Sequence, residues 1–360
     1  YGIVGDPVTL TLRIEESGGG NGRARLGIAR DGGEKREMEL TTGASQSLDV
    51  TVAHGGPNVF EIEVEAAEGE LTLANNRAAI VVNGVRDRLR VLLVSGQPHA
   101  GERVWRNLLK ADPAVDLVHF TILRPPEKQD GTPVNELSLI AFPTRELFEE
   151  KLSDFDLIIF DRYHRRGVLP VTYLHNIVKY VRDGGAILEA GGPALATPLG
   201  LFRTPLGEIL PMAPTGRLID RPFRADITDI GHRHPVTAHL PGAPQTKGEA
   251  PQWGRWLRLV DSDARRGTVV MSGADGKPVL ALDHVGKGRI AQLLTDQIWL
   301  WARGFDGGGP QAELLRRTAH WLMKEPDLEE DDLRADIQGL RLGVTRQSLK
   351  KDERPVTVRT

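Results

Sequence analysis

Hydrophobic and polar positions alternate with period two over the first stretch of the chain. "VTLTLRI" places Val8, Leu10, Leu12 and Ile14 on one face, and "VFEIEVEA" does the same with Phe60, Ile62 and Val64 between glutamates. Such alternation predicts half-buried antiparallel strands. Clusters of Gly, Asn and Asp ("ESGGGNG", "RDGG", "HGGPN", "ANN") separate the segments, as in a small sandwich. The glycine run from Gly18 to Gly22 lacks the GxxxxGK[ST] spacing of a phosphate loop, and no helical pattern follows it; a hairpin tip is expected.

Near Val85 the period changes. "RLRVLLVSG" is a continuous apolar strand followed by the helical "GERVWRNLLKA"; "VDLVHFTIL" reads as the next strand and "TRELFEEKLSDF" as an amphipathic helix. "DLIIFD" is a third buried strand ending at Asp161. "VTYLHNIVKYVRDGG" is a helix with Leu174, Ile177, Val178 and Val181 on one side and a stop at Gly184, and "AILEAGG" is a fourth strand. Strands alternating with helices predict an α/β unit with a doubly wound, mostly parallel sheet. From about 200 to 285 strands and turns are expected at the sheet edge. They are followed by the strand "RIAQLLTDQ" and the closing helix "QAELLRRTAHWLMK". "EPDLEEDD" reads as a solvated helix end or linker, and "DIQGLRLGV" and "PVTVRT" return to strand-like alternation. Three regions result: 1–86 a β-sandwich, 87–326 the α/β domain, and 327–360 a linker with strands of a second or completed sandwich.

Composition narrows the function classes. The net charge is −3, from 46 basic and 49 acidic residues, which argues against a general nucleic-acid binder with its basic face. The chain has no cysteine, and so no disulfide, no thiolate nucleophile and no Cys-ligated zinc. No apolar run reaches the ~18 residues of a membrane helix. Both ends break off in strand-like sequence, so a piece of a larger protein is expected, with any anchor lying elsewhere.

The turn after the fourth strand, "AILEAGG", stands where many α/β enzymes hold a nucleophile, but it offers only Glu189, Ala190, Gly191 and Gly192. Ligands of open α/β sheets gather at the carboxyl ends of the strands. Those ends carry Ser95, Gln97 and His99; Asp161, Arg162, Tyr163 and His164; Glu189; and Asp296 and Gln297. Asp161, Glu189 and Asp296 would form an acid/base or metal site if they converged; the plainer reading has the aspartates capping helices or pairing with Arg162 or Arg103. A small-molecule cleft would draw on Gln97, Arg103, Tyr163, His164, Gln297 and Trp299. In "GHRHPV", His232 and His234 would share a metal if they lay at i, i+2 on a strand, though a turn with hydrogen-bonding histidines is the plainer expectation. Trp253, Trp256, Trp299 and Trp301 suit either a sugar platform or a packed core, with packing favoured. "RYHRRG" (Arg162, Arg165, Arg166) reads as a solvated basic loop.

The order of "LANNRAAIVVNGVRDRLRVLLVSGQPHAGERVWRNLL", "FDLIIFDRY", "YVRDGGAILEAGGPA" and "HPVTAHL" resembles class I glutamine amidotransferase-like domains, over roughly residues 70 to 345. The closest branch is that of large bacterial cell-envelope proteins with flanking β-sandwich segments. The resemblance implies a flavodoxin-like sheet with an N-terminal Ig-like sandwich. It also implies partner domains in the same parent chain or the envelope, a periplasmic-facing and membrane-anchored setting, no cofactor and no nucleic acid. Active members place a Cys at the elbow and a His after a later strand. Here the elbow reads Glu189-Ala190-Gly191, and the later strand ends in Thr295-Asp296-Gln297. A non-catalytic interaction or scaffold role is therefore expected. A carboxylate- or metal-using hydrolase and a carbohydrate-binding module are the alternatives.

Overall fold

The computed structural model describes residues 2–15, 22–67, 70, 72–85, 88–96, 98–121, 143–165, 167–244, 249–338 and 341–349. Gln97, Arg166, most of the glycine run at 18–22 and the final "PVTVRT" lie outside them. The chain divides into two compact units, Tyr1–Asp87 and Arg88–Thr360.

In the first unit the alternating segments form β1 (Gly2–Ile3), β2 (Pro7–Arg13), β3 (Arg23–Arg30), β4 (Arg36–Thr41), β5 (Ser45–Thr51), β6 (Gly56–Val64) and β7 (Arg77–Val85). One sheet runs β1-β7-β6-β3-β4, and β2 pairs with β5 in a second. Leu10, Leu26, Ile28, Val50, Val52, Phe60, Ile62 and Val82 form their common core, the inward set that period-two patterning selects.

The second unit contains β8 (Leu89–Ser95), α1 (Ala100–Ala111), β9 (Val115–Thr121), β10 (Leu157–Asp161), α2 (Val171–Asp183), β11 (Ala186–Ala190), β12 (Met212–Ile219), β13 (Asp226–Ile227), β14 (Leu259–Ala264), β15 (Thr268–Ser272), β16 (Pro278–Val285), β17 (Gly288–Leu293), α3 (Trp299–Ala302), α4 (Gln311–Leu322), β18 (Asp332–Gln338) and β19 (Arg341–Gln347). Its main sheet has the order β13-β15-β16-β17-β11-β10-β8-β9. The β17-β11-β10-β8-β9 neighbours are parallel, and β13, β15, β16 and β17 pair antiparallel. Two buried clusters cover it. Trp105, Leu109 and the α4 residues Leu314 and Leu315 pack on one face, and Leu174, Ile177 and Val181 of α2 on the other.

This mixed sheet overturns the expected doubly wound, mostly parallel, flavodoxin-like arrangement. The segment expected as a helix at 144–155 is a π-helical turn, Glu146–Glu150, followed by a single 3-10 turn, Leu152–Asp154. Between β11 and β17 the chain makes short 3-10 turns and the small β12-β14 sheet instead of one crossover helix. Buried antiparallel strands such as β16 are apolar at nearly every position, as buried parallel ones are, so hydrophobic period alone does not separate the two. In the tail, among the described residues, β18 and β19 pair with each other in a two-stranded hairpin.

The parallel strands end level. Cα partners run Thr121–Ser95–Asp161–Ala190–Leu293 across β9, β8, β10, β11 and β17. The chain leaves β8 through Gly96, whose amide donates to the Asp161 carbonyl at 2.9 Å. A Cβ on Gly96 would lie 2.3 Å from the Arg162 carbonyl oxygen and 2.6 Å from Tyr163 Cα, both backbone atoms with no freedom to move aside. Gly96→Ala is therefore expected to destabilise the second unit by about 1–3 kcal/mol, as overpacking does. Urea denaturation would show it as a lower midpoint at unchanged slope; an unchanged midpoint would show that the two strand exits are not tightly apposed.

Candidate functional site

Cross-strand partners share a face and successive residues alternate between faces, so the level strand ends build two rows. The outer row carries Thr121, Ser95 and Asp161 toward the face covered by α1 and α4. The row beneath it carries Phe160, Glu189 and Gln292 toward the face covered by α2. Asp161 and Glu189 thus lie on opposite sides of the sheet and do not converge.

On the first side His99 joins the row. As the N-cap of α1 it accepts the Gly101 amide at Nδ1 (3.1 Å), which leaves Nε2 to donate to Asp161 Oδ2 at 2.7 Å. Ser95 Oγ donates to the same carboxylate oxygen at 3.4 Å and lies 3.5 Å from His119 Nε2. His119 Nε2 also stands 3.6 Å from Glu102 Oε1, to which Thr121 Oγ1 donates at 2.7 Å. Burial pushes the Asp161 carboxyl pKa up, against the pull of His99. Burial holds the His119 pKa below its usual value. His99, expected only as a strand-end residue, is a cap with both ring nitrogens engaged. His119 and Glu102 escaped the sequence reading, because only the register of an edge strand brings β9 beside Ser95.

Asp296 belongs to a different arrangement. Its Oδ2 faces Arg162 Nε at 3.4 Å and Arg258 Nη1 at 3.7 Å, and Arg258 also bonds Asp220 at 3.0 Å. Arg162 takes a left-handed backbone (φ 47°) and lies across Gly192, whose missing side chain leaves room for it. The Arg162 pairing is the one the plainer sequence reading anticipated, and it makes part of the expected solvated loop a half-buried contact. Arg103 is exposed on α1. Gln297 accepts the Leu257 amide at 2.7 Å, Tyr163 is buried edge-on against Phe160, and His164 is buried.

Beyond the sheet, Glu189 is buried at 2% exposure; Gly191 leaves its carboxylate oxygens room where a Cβ would stand 3.1 and 3.4 Å away. Gln292, its cross-strand neighbour, accepts the Met212 amide at its side-chain oxygen at 2.9 Å. Burial pushes the Glu189 carboxyl up to about 8, with Gln292 opposing the rise. A carboxyl that keeps its proton at neutral pH is the low-energy form at such a position. The elbow residues Glu189, Ala190, Gly191 and Gly192 thus form a packed turn.

The histidine pair is separated too. Residues 228–238 form consecutive hydrogen-bonded turns rather than a strand, with His232 exposed and His234 buried. Among the described residues no cluster of His, Asp and Glu has metal-binding geometry. The tryptophans form a core. Trp301 stacks 4.2 Å from Trp256 and 5.3 Å from Trp253, and its indole donates to the Gly254 carbonyl at 2.7 Å; Trp299 is partly buried against the same cluster. The rings of Trp253, Trp256 and Trp301 are buried and offer no open platform for a sugar.

No family model matches the chain, and no curated protein matches it. Among solved structures, a cytoplasmic protein of Salmonella typhimurium LT2 is 15% identical with a TM-score of 0.47, over 65% of this chain and 99% of that one. A second cytoplasmic protein of Salmonella typhimurium is 17% identical with the same score and coverage. An exo-β-1,4-mannosidase from Opitutaceae bacterium strain TAV5 is 12% identical with a TM-score of 0.33, over 65% of this chain and 33% of the enzyme. Likenesses this slight carry no functional argument. Among the described residues no helix is long and apolar enough to cross a membrane.

The raised Glu189 pKa makes stability depend on pH. Between the ordinary value of 4.5 and about 8, the unfolded chain ionises this carboxyl while the folded chain keeps it protonated. Its contribution is therefore full below the lower value and falls by roughly 1.4 kcal/mol per pH unit across that window. Glu189→Gln is expected to flatten this part of the profile and to gain on the parent chain steadily toward alkaline pH. Denaturation midpoints across the window would check it; a constant difference between the two proteins would show that Glu189 ionises normally.

Proposed function

We propose that the second unit is a non-catalytic interaction or scaffold module, related to the class I glutamine amidotransferase-like domains of bacterial envelope proteins. Its partners would be other domains of the same parent chain or neighbouring envelope proteins, and a periplasmic-facing position belongs to the same proposal. One observation carries the reading: every carboxylate that could act at the strand ends is already engaged or turned away. Asp161 is held by His99 and Ser95, Asp296 lies between two guanidiniums, and Glu189, whose carboxyl burial pushes up to about 8, points to the far side of the sheet. Acyl transfer needs a nucleophile beside a base free to take its proton. Here Ser95 is wholly buried and donates to Asp161, the nearby His99 has both nitrogens in use, and His119 Nε2, 3.5 Å from Ser95 Oγ, is shared with Thr121 Oγ1 at 3.4 Å and Glu102 Oε1 at 3.6 Å.

Such a packed strand end suits a rigid element that holds or is held. In the glycine turn after β11 the Gly191 amide donates to the Leu293 carbonyl at 2.7 Å, which ties the turn to β17. The order of the sequence motifs supports the family resemblance.

Incubated with glutamine, the purified chain is expected to release ammonia no faster than buffer alone. Asp161→Asn and Asp296→Asn should leave that background unchanged. Turnover above background that Asp296→Asn abolishes would overturn the reading in favour of a carboxylate-based enzyme.

A further inference from the structure

The acidic run "EPDLEEDD" was expected to be solvated, yet the structure seats it in a socket remote from the strand ends. Past α4 the chain turns through Lys324, which donates to the Gly184 carbonyl at 2.7 Å, and through a single 3-10 turn, Pro326–Leu328. Glu329 and Glu330 then reach two cationic or donor groups of the unit, their side chains 39% and 23% exposed. Arg289, at the start of β17, has a side chain only 8% exposed. Its Nη2 reaches both oxygens of Glu329 at 2.7 and 2.6 Å, and its Nη1 donates to the Trp321 carbonyl at 2.7 Å. The guanidinium lies 5.0 Å over the Trp321 ring, against which the rings of His234 and His284 stand edge-on at 5.6 and 5.5 Å. His234 is wholly buried. Its Nδ1 accepts the Val236 amide at 3.2 Å, so Nε2 carries the proton that goes to Glu330 Oε1 at 3.0 Å.

The same surface grips the chain again farther on. Arg233 donates through Nε and Nη2 to the Leu349 carbonyl at 3.3 and 3.2 Å. Hairpin β18–β19 lies between these two attachments, and among the described residues its strands pair only with each other. A two-stranded hairpin by itself is marginal in water, so attachments at its ends bear on its order. Of the strap from 325 to 330, Leu328 packs against the apolar core, and Glu329 and Glu330 attach to Arg289 and His234.

We propose that Glu329 and Glu330 form a releasable electrostatic latch, which holds hairpin β18–β19 on the second unit when seated on Arg289 and His234 and frees it when unseated. Because the Nδ1 of His234 is committed to a backbone amide, its ring donates to Glu330 while neutral. The latch therefore closes without histidine protonation and opens when its carboxylates are neutralised or displaced.

Hydrogen exchange on the full chain tests this. In Glu329→Gln/Glu330→Gln, amides of residues 332–347 are expected to exchange about tenfold faster or more, since each lost bond involves a charged group. Amides of α4 and β17 should keep their protection. Arg289→Lys, which keeps the charge but loses the two-pronged grip, should give a smaller increase in the same segment. Glu330→Gln alone alters only a partly exposed side chain and should move the hairpin in the same direction. Unchanged hairpin protection in the double variant would overturn the proposal. So would equal loosening of the hairpin and α4, which would make the carboxylates general supports of the unit rather than a latch.

Discussion

The level ending of five parallel strands is the constraint on which the centre of this protein depends. With Thr121, Ser95, Asp161, Ala190 and Leu293 in one row, the two-residue period of a strand sends the preceding row, with Glu189 and Gln292, to the opposite face. A one-residue slip in any pair would exchange these faces and bury a different set of polar atoms. The apolar residues below the rows resist such a slip, because Leu93, Ile159 and Leu188 must meet one helical layer and Ile158 and Ile187 the other.

Given those rows, each buried ionisable group finds its own solution. Asp161 is matched by a neutral imidazole that also caps a helix. Asp296 is matched by two arginines, one placed by a left-handed residue across a glycine. Glu189 has no cation and keeps its proton. Unpaired charge in an apolar interior is costly, so pairing and protonation are the available remedies. Elsewhere, Asp261 is drawn down to about 2: burial opposes ionisation, but Lys277, Arg217 and Thr215 outweigh it, tying β14 to β12 and to the turn before β16. The buried charges of Asp161, Asp296 and Asp261 are thus met locally, while Glu189 Oε2 and Asp296 Oδ1 stay buried without a hydrogen-bond partner.

The strap after α4 follows the opposite logic. There the cations belong to the folded unit and the carboxylates to a segment leaving it. Arg289 is tied by Nη1 to the Trp321 carbonyl and lies over its ring, which places Nη2 against both oxygens of Glu329. That asymmetry distinguishes a docked segment from another piece of core.

Much of the local architecture was legible from the residues alone. The alternating strands of the first unit, the apolar β8, β10 and β11, and α2 with its end at Gly184 follow from periodicity and from the left-handed backbone that glycine adopts there. The lack of any thiol is a property of composition. Tertiary structure decided the rest, for identifiable reasons. Continuous apolar runs do not reveal whether a strand joins its neighbour parallel or antiparallel, so the mixed character of the sheet was hidden. The partners of Ser95 and Asp161 depend on register between segments far apart in sequence. The strap's carboxylates read as solvated because their actual partners are remote in sequence; Arg289 and His234 lie 40 and 96 positions away from them and meet them only when β17 and the turn after β13 pack beside α4. A sequence states which side chains seek burial or charge, and only the packed chain settles which of them meet.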